Sequence, residues 1–234
     1  MSNQPFKAGL IPEYVIKILG AFPTTLILAV AALIIGIAIG ACLAAASFST
    51  KKPVRVIASG YIHFIRGIPP LVLIYLLYLG FPQLMKRLGV DMSAVDKKAY
   101  MIVIFAIAIS AGFSEMMRSS FLAIDKGQTE AALSIGMTKL QAFRRIVFPQ
   151  AFGVALPSLG NNIIMLIKLT SLGFVIGIVD LMGKARIIIT IGYRTRMLEV
   201  YLALAVIYWA MCFLLERLNK HLVRVYTKGK KQTQ

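Results

Sequence analysis

Residues 18–50 run for 33 positions without an Asp, Glu, Lys or Arg. A helix needs about 20 mostly apolar residues to cross the hydrocarbon core of a bilayer. Backbone in lipid must satisfy its own hydrogen bonds, which leaves helices and closed barrels as spanning structures. Four further charge-free runs follow at 67–85, 99–114, 146–167 and 200–215. The two 16-residue runs reach spanning length when their neutral or paired ends are counted. Hydrophobic residues make up 59% of the chain and charged ones 15%, against roughly 45–50% and about 25% in soluble domains. A soluble enzyme around one core is excluded. The pattern predicts an all-α, polytopic membrane protein.

Lys plus Arg number 26 against 9 acidic residues, a net charge of +17. Nucleic-acid binders cluster such charge on a soluble face. Here it sits in short segments between apolar runs, where it orients a chain in the bilayer. Five spans are expected at 22–48, 68–85, 99–118, 156–181 and 197–217. That division puts fifteen basic residues on one side and ten on the other. Splitting 146–180 into two spans would erase the bias, so five spans are preferred. The N-terminus is then outside and the tail in the cytoplasm. Residues 1–21 form an external segment, 22–217 the transmembrane domain and 218–234 a basic, solvated tail. The opening residues lack the charged region, short apolar stretch and small-residue site of a signal peptide. Gly36 and Gly40 form a G-x-x-x-G that lets helices approach closely. Cys42 and Cys212 lie inside apolar segments and read as packing residues, and His63 and His221 have no metal-ligand spacing.

The polar stretch from Ser119 to Ala155 is the most informative part. Asp125, Lys126 and Gly127 offer turn chemistry, followed by a helix-forming run to Ile135. Gly136 stands where a helix ends in the left-handed conformation. Thr138 is placed to cap a second helix, which Pro149 is expected to stop. Two short helices with a sharp turn at the inner membrane surface follow from spacing alone. An interfacial loop on anionic lipid would satisfy the same pattern.

Glu130-Ala131-Ala132, Gly136 and Ile146-Val147-Phe148-Pro149 resemble the EAA---G---------I-LP loop of ABC-importer permeases, with Phe148 in place of the usual Leu. Arg66-Gly67-Ile68-Pro69-Pro70-Leu71-Val72, Ser114-Glu115-Met116-Met117-Arg118 and Leu156-Pro157 followed by Asn161 are similar to motifs of the polar amino-acid branch (histidine, glutamine, arginine, cystine). The resemblance covers about 22–217. It implies a type I (MetI-like) permease fold, in which Glu130, Ala131, Ala132, Gly136 and Pro149 belong to an element coupling the spans to cytoplasmic ATP-binding subunits. It also implies a second permease copy or paralogue, an extracellular substrate-binding protein and an amino acid as cargo. No cofactor falls to this chain, which has no G-x-x-x-x-G-K-[ST] phosphate loop; ATP belongs to the partner subunit. Import as the direction comes from the resemblance.

Lys168 is the one charge well inside a span, where an unpaired charge costs roughly 2.5–3.5 kcal/mol. At 100° per residue, Asn161, Lys168 and Ser171 share a polar stripe, with Thr170 in the same helix. The stripe is expected to face the bundle interior and line a translocation path, with Lys168 drawing the α-carboxylate of an amino acid. Pairing of Lys168 with Glu115 or with a neighbouring subunit remains an alternative. The resembled family has K-D-T-S-L where this chain has Lys168-Leu169-Thr170-Ser171-Leu172, which removes the acidic residue a cationic amino acid would meet. The run from Gly177 to Ala185 looks like the branch handling cystine and related sulfur compounds. Arg66, Glu115 and Arg118 are expected to make helix-end ion pairs or a gate. Tyr201, Tyr208 and Trp209 read as packing or lipid-interface residues. A stand-alone secondary carrier is the competing reading, although carriers often show internal repeats. An integral-membrane enzyme would need a catalytic cluster that nine scattered acidic residues do not supply.

Overall fold

The computed structural model describes residues 6–92, 94–192 and 195–231, with side chains through 226. Among the described residues eleven α-helices follow one another: α1 Ile11–Leu19, α2 Phe22–Ser47, α3 Lys52–Gly67, α4 Pro70–Tyr75, α5 Phe81–Arg87, α6 Lys97–Leu122, α7 Lys126–Ser134, α8 Lys139–Ala142, α9 Phe148–Thr170, α10 Leu181–Ile191 and α11 Met197–Lys231. Pro12, Pro23, Pro53 and Pro70 all lie in the first turn of a helix. There a missing N–H is harmless and the fixed φ suits the helix.

Four helical stretches are long and apolar enough to span: Phe22–Ser47, Lys97–Leu122, Lys139–Ile176 and Met197–Tyr226. A fifth crossing exists if α3 and the Pro70–Arg87 segment, bent by 111° at their junction, act as one broken span. The expected span at 68–85 is thus α4, a π turn at Leu76–Gly80, and α5. The basic connection before it is helix rather than loop. Ala58, Ile62 and Ile65 of α3 are buried, and Tyr61 exchanges a 3.0 Å hydrogen bond with Ser110 of α6.

The most extensive helix pair is α2 with α6. A Cβ on Gly36 would lie 2.6 Å from Ile109 Cγ1, and one on Gly40 2.7 Å from Phe113 Cβ. The two glycines therefore set the helix separation, as the G-x-x-x-G implies. The main core gathers Leu28, Met101, Phe105, Phe113 and Leu166 around this pair. A second core joins Ile18 of α1 to Leu181 and Ala185 of α10 and Val200 and Ala203 of α11.

Three expectations change. Pro149 does not end the second helix of the polar stretch. A π turn at Phe143–Val147, with the Phe148 N–H reaching back to Phe143 O, carries the helix into α9. The fourth span therefore begins well before residue 156. The segment around 184–196, expected as a loop, contains α10, capped by Asp180 accepting from Gly183 N at 2.8 Å. The tail is helical through Lys231 rather than solvated coil: Tyr226 donates to Pro149 O and Glu216 pairs with Lys220 at 2.6 Å. Residues 1–5, 93, 193–194 and 232–234 lie outside the described residues, Arg194 of the outer basic residues among them.

Candidate functional site

The α7–α8 unit closes on itself by local chemistry. Asp125 caps α7, accepting from Gly127 N at 2.8 Å. Gly136 holds φ at +85°. Its N–H donates to Leu133 O at 3.0 Å and that of Met137 to Ala132 O at 3.1 Å. This double closure is a Schellman turn, which satisfies the last carbonyls of a helix. Thr138 and Gln141 then form a reciprocal capping box, with bonds of 2.9 and 3.3 Å. The turn leaves no slack between the two helices.

Ala132 and Ala142 are buried, while Glu130, Ala131 and Gly136 are exposed. Glu130 makes no ion pair among the described residues. Leu133, Ile135 and Leu140 are also exposed, Ile135 by 75%, so the unit presents an apolar knob beside a free carboxylate. Its base is tied to the membrane helices. Gln150 of α9 donates to Ile146 O and to Gln128 Oε1 of α7, at 3.1 and 3.4 Å. Rings of Phe48, Phe121, Phe143, Phe148, Phe152 and Tyr226 touch in series, with centroids 5.6–6.4 Å apart. They link the ends of α2 and α6, the π turn, α9 and α11. Of this series the sequence reading singled out only Phe148, as a departure from the usual Leu.

The polar stripe is placed differently from expectation. Asn161 and Lys168 are exposed on an open face of α9 and do not point into this chain's own core. Ser171 is half-buried, its hydroxyl donating to Lys168 O at 2.7 Å. Thr170 is fully buried on another side, donating to Ile167 O. Asn162, not Asn161, meets the bundle, close enough to Gly112 that a Cβ there would lie 2.9 Å from Asn162 Oδ1. Lys168 does not pair with Glu115. Glu115 instead takes a two-pronged bond from Arg118, at 2.6 and 3.0 Å. Arg66, Arg55, His63 and Ser59 line a cavity of about 330 Å³ with that pair. Trp209 is 67% exposed and stacks on Phe213, whereas Tyr208 packs against the second core.

At the opposite end of the molecule, Lys17, Lys97, Lys98 and Lys184 surround a cavity of about 800 Å³ with Asp96. Beside it Asp180 is fully buried, and burial pushes its carboxyl up to about 6 against the pull of backbone N–H bonds. Among the described residues no group of three His, Cys, Asp or Glu could hold a metal ion.

Residues 32–228 match the family of binding-protein-dependent transport system inner membrane components. The chain belongs to that family. It is a multi-pass membrane permease component, a transport subunit and not by itself an enzyme, and the expected permease fold is borne out. It is 36% identical over 233 residues to the L-cystine transport system permease protein TcyL of Bacillus subtilis strain 168, covering 96% of this chain and 97% of that one. It is 37% identical over 212 residues to the nopaline transport system permease protein NocM of Agrobacterium fabrum, covering 89% and 87%. A crystal structure of an amino acid ABC transporter with histidines superposes with a TM-score of 0.82 at 33% identity, over 94% of this chain and 99% of that one. An inward-facing structure of the MetNI methionine ABC transporter gives 0.65 at 18% identity, over 93% and 96%. At that identity the likeness speaks for the fold alone.

Proposed function

We propose that the chain is the permease subunit of an ABC importer for polar amino acids, on the branch that carries cystine and related sulfur compounds. The observation that carries this reading is the α7–α8 knob: locally closed, exposed at Glu130, Leu133, Ile135 and Leu140, and continuous with the fourth span. Such a knob fits a groove in a cytoplasmic ATP-binding subunit, with Glu130 meeting a basic residue there. ATP is bound and hydrolysed by that subunit, whose closure then moves α9 through the knob. Family membership supports an extracellular substrate-binding protein, and the similarity to TcyL supports cystine.

The N-terminus lies outside and the tail in the cytoplasm, a reading supported by the basic bias of the knob's side. The open face bearing Asn161 and Lys168 closes against a second permease chain, identical or paralogous. The translocation path runs along that face, where Lys168 attracts the substrate carboxylate. Leu169 beside it offers nothing to a cationic side chain.

The test is ATP-dependent uptake of labelled cystine, arginine and glutamine into proteoliposomes holding this chain, its ATPase and the binding protein. Cystine uptake that vanishes with Glu130→Lys is the expected result. Uptake that persists without an ATPase, driven by an ion gradient, would leave a secondary carrier instead. Lys168→Met is expected to weaken substrate response without uncoupling ATP hydrolysis; unchanged uptake and affinity would remove Lys168 from the path.

A further inference from the structure

A groove of about 670 Å³ opens between the knob-side ends of α2, α6 and α9. Ala41, Ala44 and Ala45 of α2 form its floor, and the rings of Phe48, Phe121 and Phe148 stand along its walls. Ser120 carries the one side-chain polar atom in the lining, and its hydroxyl is already spent on Met116 O at 2.7 Å. Water needs two to four polar partners to stay in such a space, so the groove excludes it. Hydrocarbon is what the surroundings of a membrane helix supply.

The rim has the opposite character. Lys51 and Lys52 follow Phe48 in the chain, and Arg144 and Arg145 follow Phe143. Phe48 and Phe143 both rest on Phe121, with centroids 6.4 and 5.6 Å away. The two turns therefore place these four cations in the segments that border the knob-side end of an apolar groove. All four are exposed and make no ion pair among the described residues. A second copy of this chain, itself at +17, would set like charge against this rim. An anionic amphiphile complements both parts.

We propose that this groove is a binding site for one anionic phospholipid, its acyl chain along Ala41 and Ala45 and its headgroup on Lys51, Lys52, Arg144 and Arg145. The site rests on the orientation given above only for its leaflet, which is then the inner one. Phe143 and Phe148 belong to the joint between knob and fourth span, so the acyl chain braces that joint.

The full chain, purified in detergent and stripped of lipid, is reloaded with phosphatidylglycerol or phosphatidylcholine and followed by native mass spectrometry. Wild type is expected to retain one phosphatidylglycerol in preference to phosphatidylcholine. Ala45→Phe, which narrows the groove, is expected to lose it. The double variant Lys51→Gln with Arg144→Gln keeps the groove and weakens phosphatidylglycerol retention about 25-fold, at about fivefold for each basic residue near an anionic surface. Ala41→Leu replaces Ala45→Phe if the latter fails to fold by circular dichroism. Equal retention of the two lipids by wild type would overturn the proposal, as would wild-type retention in the folded groove variant. Loss of a dimer in that variant, with no lipid bound in wild type, would assign the groove to a second copy and also overturn it. No ATPase or substrate enters the assay, so its outcome is independent of the importer reading.

Discussion

Replacing Gly136 with alanine isolates the backbone contribution to the knob. A Cβ there would meet nothing within 4 Å, so alanine introduces no clash. It introduces a left-handed φ of +85° for an L side chain, which costs roughly 1–2 kcal/mol. That cost falls on the closed turn and not on the open one, so the opening equilibrium rises about 5- to 30-fold at 1.4 kcal/mol per decade. The amides that report it are those of Gly136 and Met137, which are held by Leu133 O and Ala132 O. Hydrogen–deuterium exchange of a peptide spanning 126–142 should accelerate by that factor. Peptides from α6 should exchange as in wild type, because the knob is closed by local bonds. Gly136→Asn should fall between the two, since asparagine tolerates the left-handed region better than alanine does. Wild-type exchange in Gly136→Ala, or faster exchange in the asparagine variant than in the alanine one, would refute the reasoning.

Gly40→Ala should lower the melting temperature in detergent, because its Cβ would lie 2.7 Å from Phe113 Cβ and 3.0 Å from Ser110 O; overpacking of this kind costs about 1–3 kcal/mol. Gly60→Ala, with nothing within 4 Å, should leave it unchanged or slightly raised. Asp180 is harder to ionise folded than unfolded, with its carboxyl moved from 3.8 to about 6. The contribution of Asp180 to folding stability should therefore fall as pH rises from about 4 to about 6, by an amount on the order of 3 kcal/mol. In Asp180→Asn, which keeps an N-cap acceptor, that decline should be absent from thermal unfolding followed across the same pH range. Tyr226→Phe keeps the edge contact with Phe152 but removes the hydroxyl that bonds Pro149 O. It should lower the stability of the fold, followed by unfolding in mixed micelles, by about 0.5–1.5 kcal/mol.

The features legible in the sequence are those fixed by one residue's own chemistry. Gly136 and Thr138 announce the turn because few other residues meet its φ and capping needs. Gly36 and Gly40 announce the α2–α6 contact because only a missing side chain permits it. Features set by competition between solvents were not legible. In a bilayer an apolar face suits lipid as well as core, so periodicity could show that Asn161, Lys168 and Ser171 align but not which way they point. Asn162, one position on, meets α6 instead. The charged start of α3 hid an amphipathic helix whose inward face is only Ala58, Ile62 and Ile65. Pro149 was misjudged because a proline ends a helix only when its ring must fit an ordinary α turn. The wider π turn before it supplies that room.

That π turn has a bearing on how displacement passes between knob and span. It holds one residue more than an α turn would, like a single spare tooth in a gear train. Deleting one residue within Phe143–Val147 would leave an unbroken helix from Lys139 onward. Because a π turn spends five residues where an α turn spends four, Asn161 and Lys168 would keep nearly the same bearing on the knob. The phase between the cytoplasmic handle and the polar face thus tolerates a deletion in this turn, whereas a single-residue deletion between Phe148 and Asn161, in regular α-helix, would swing the polar face by about 100°.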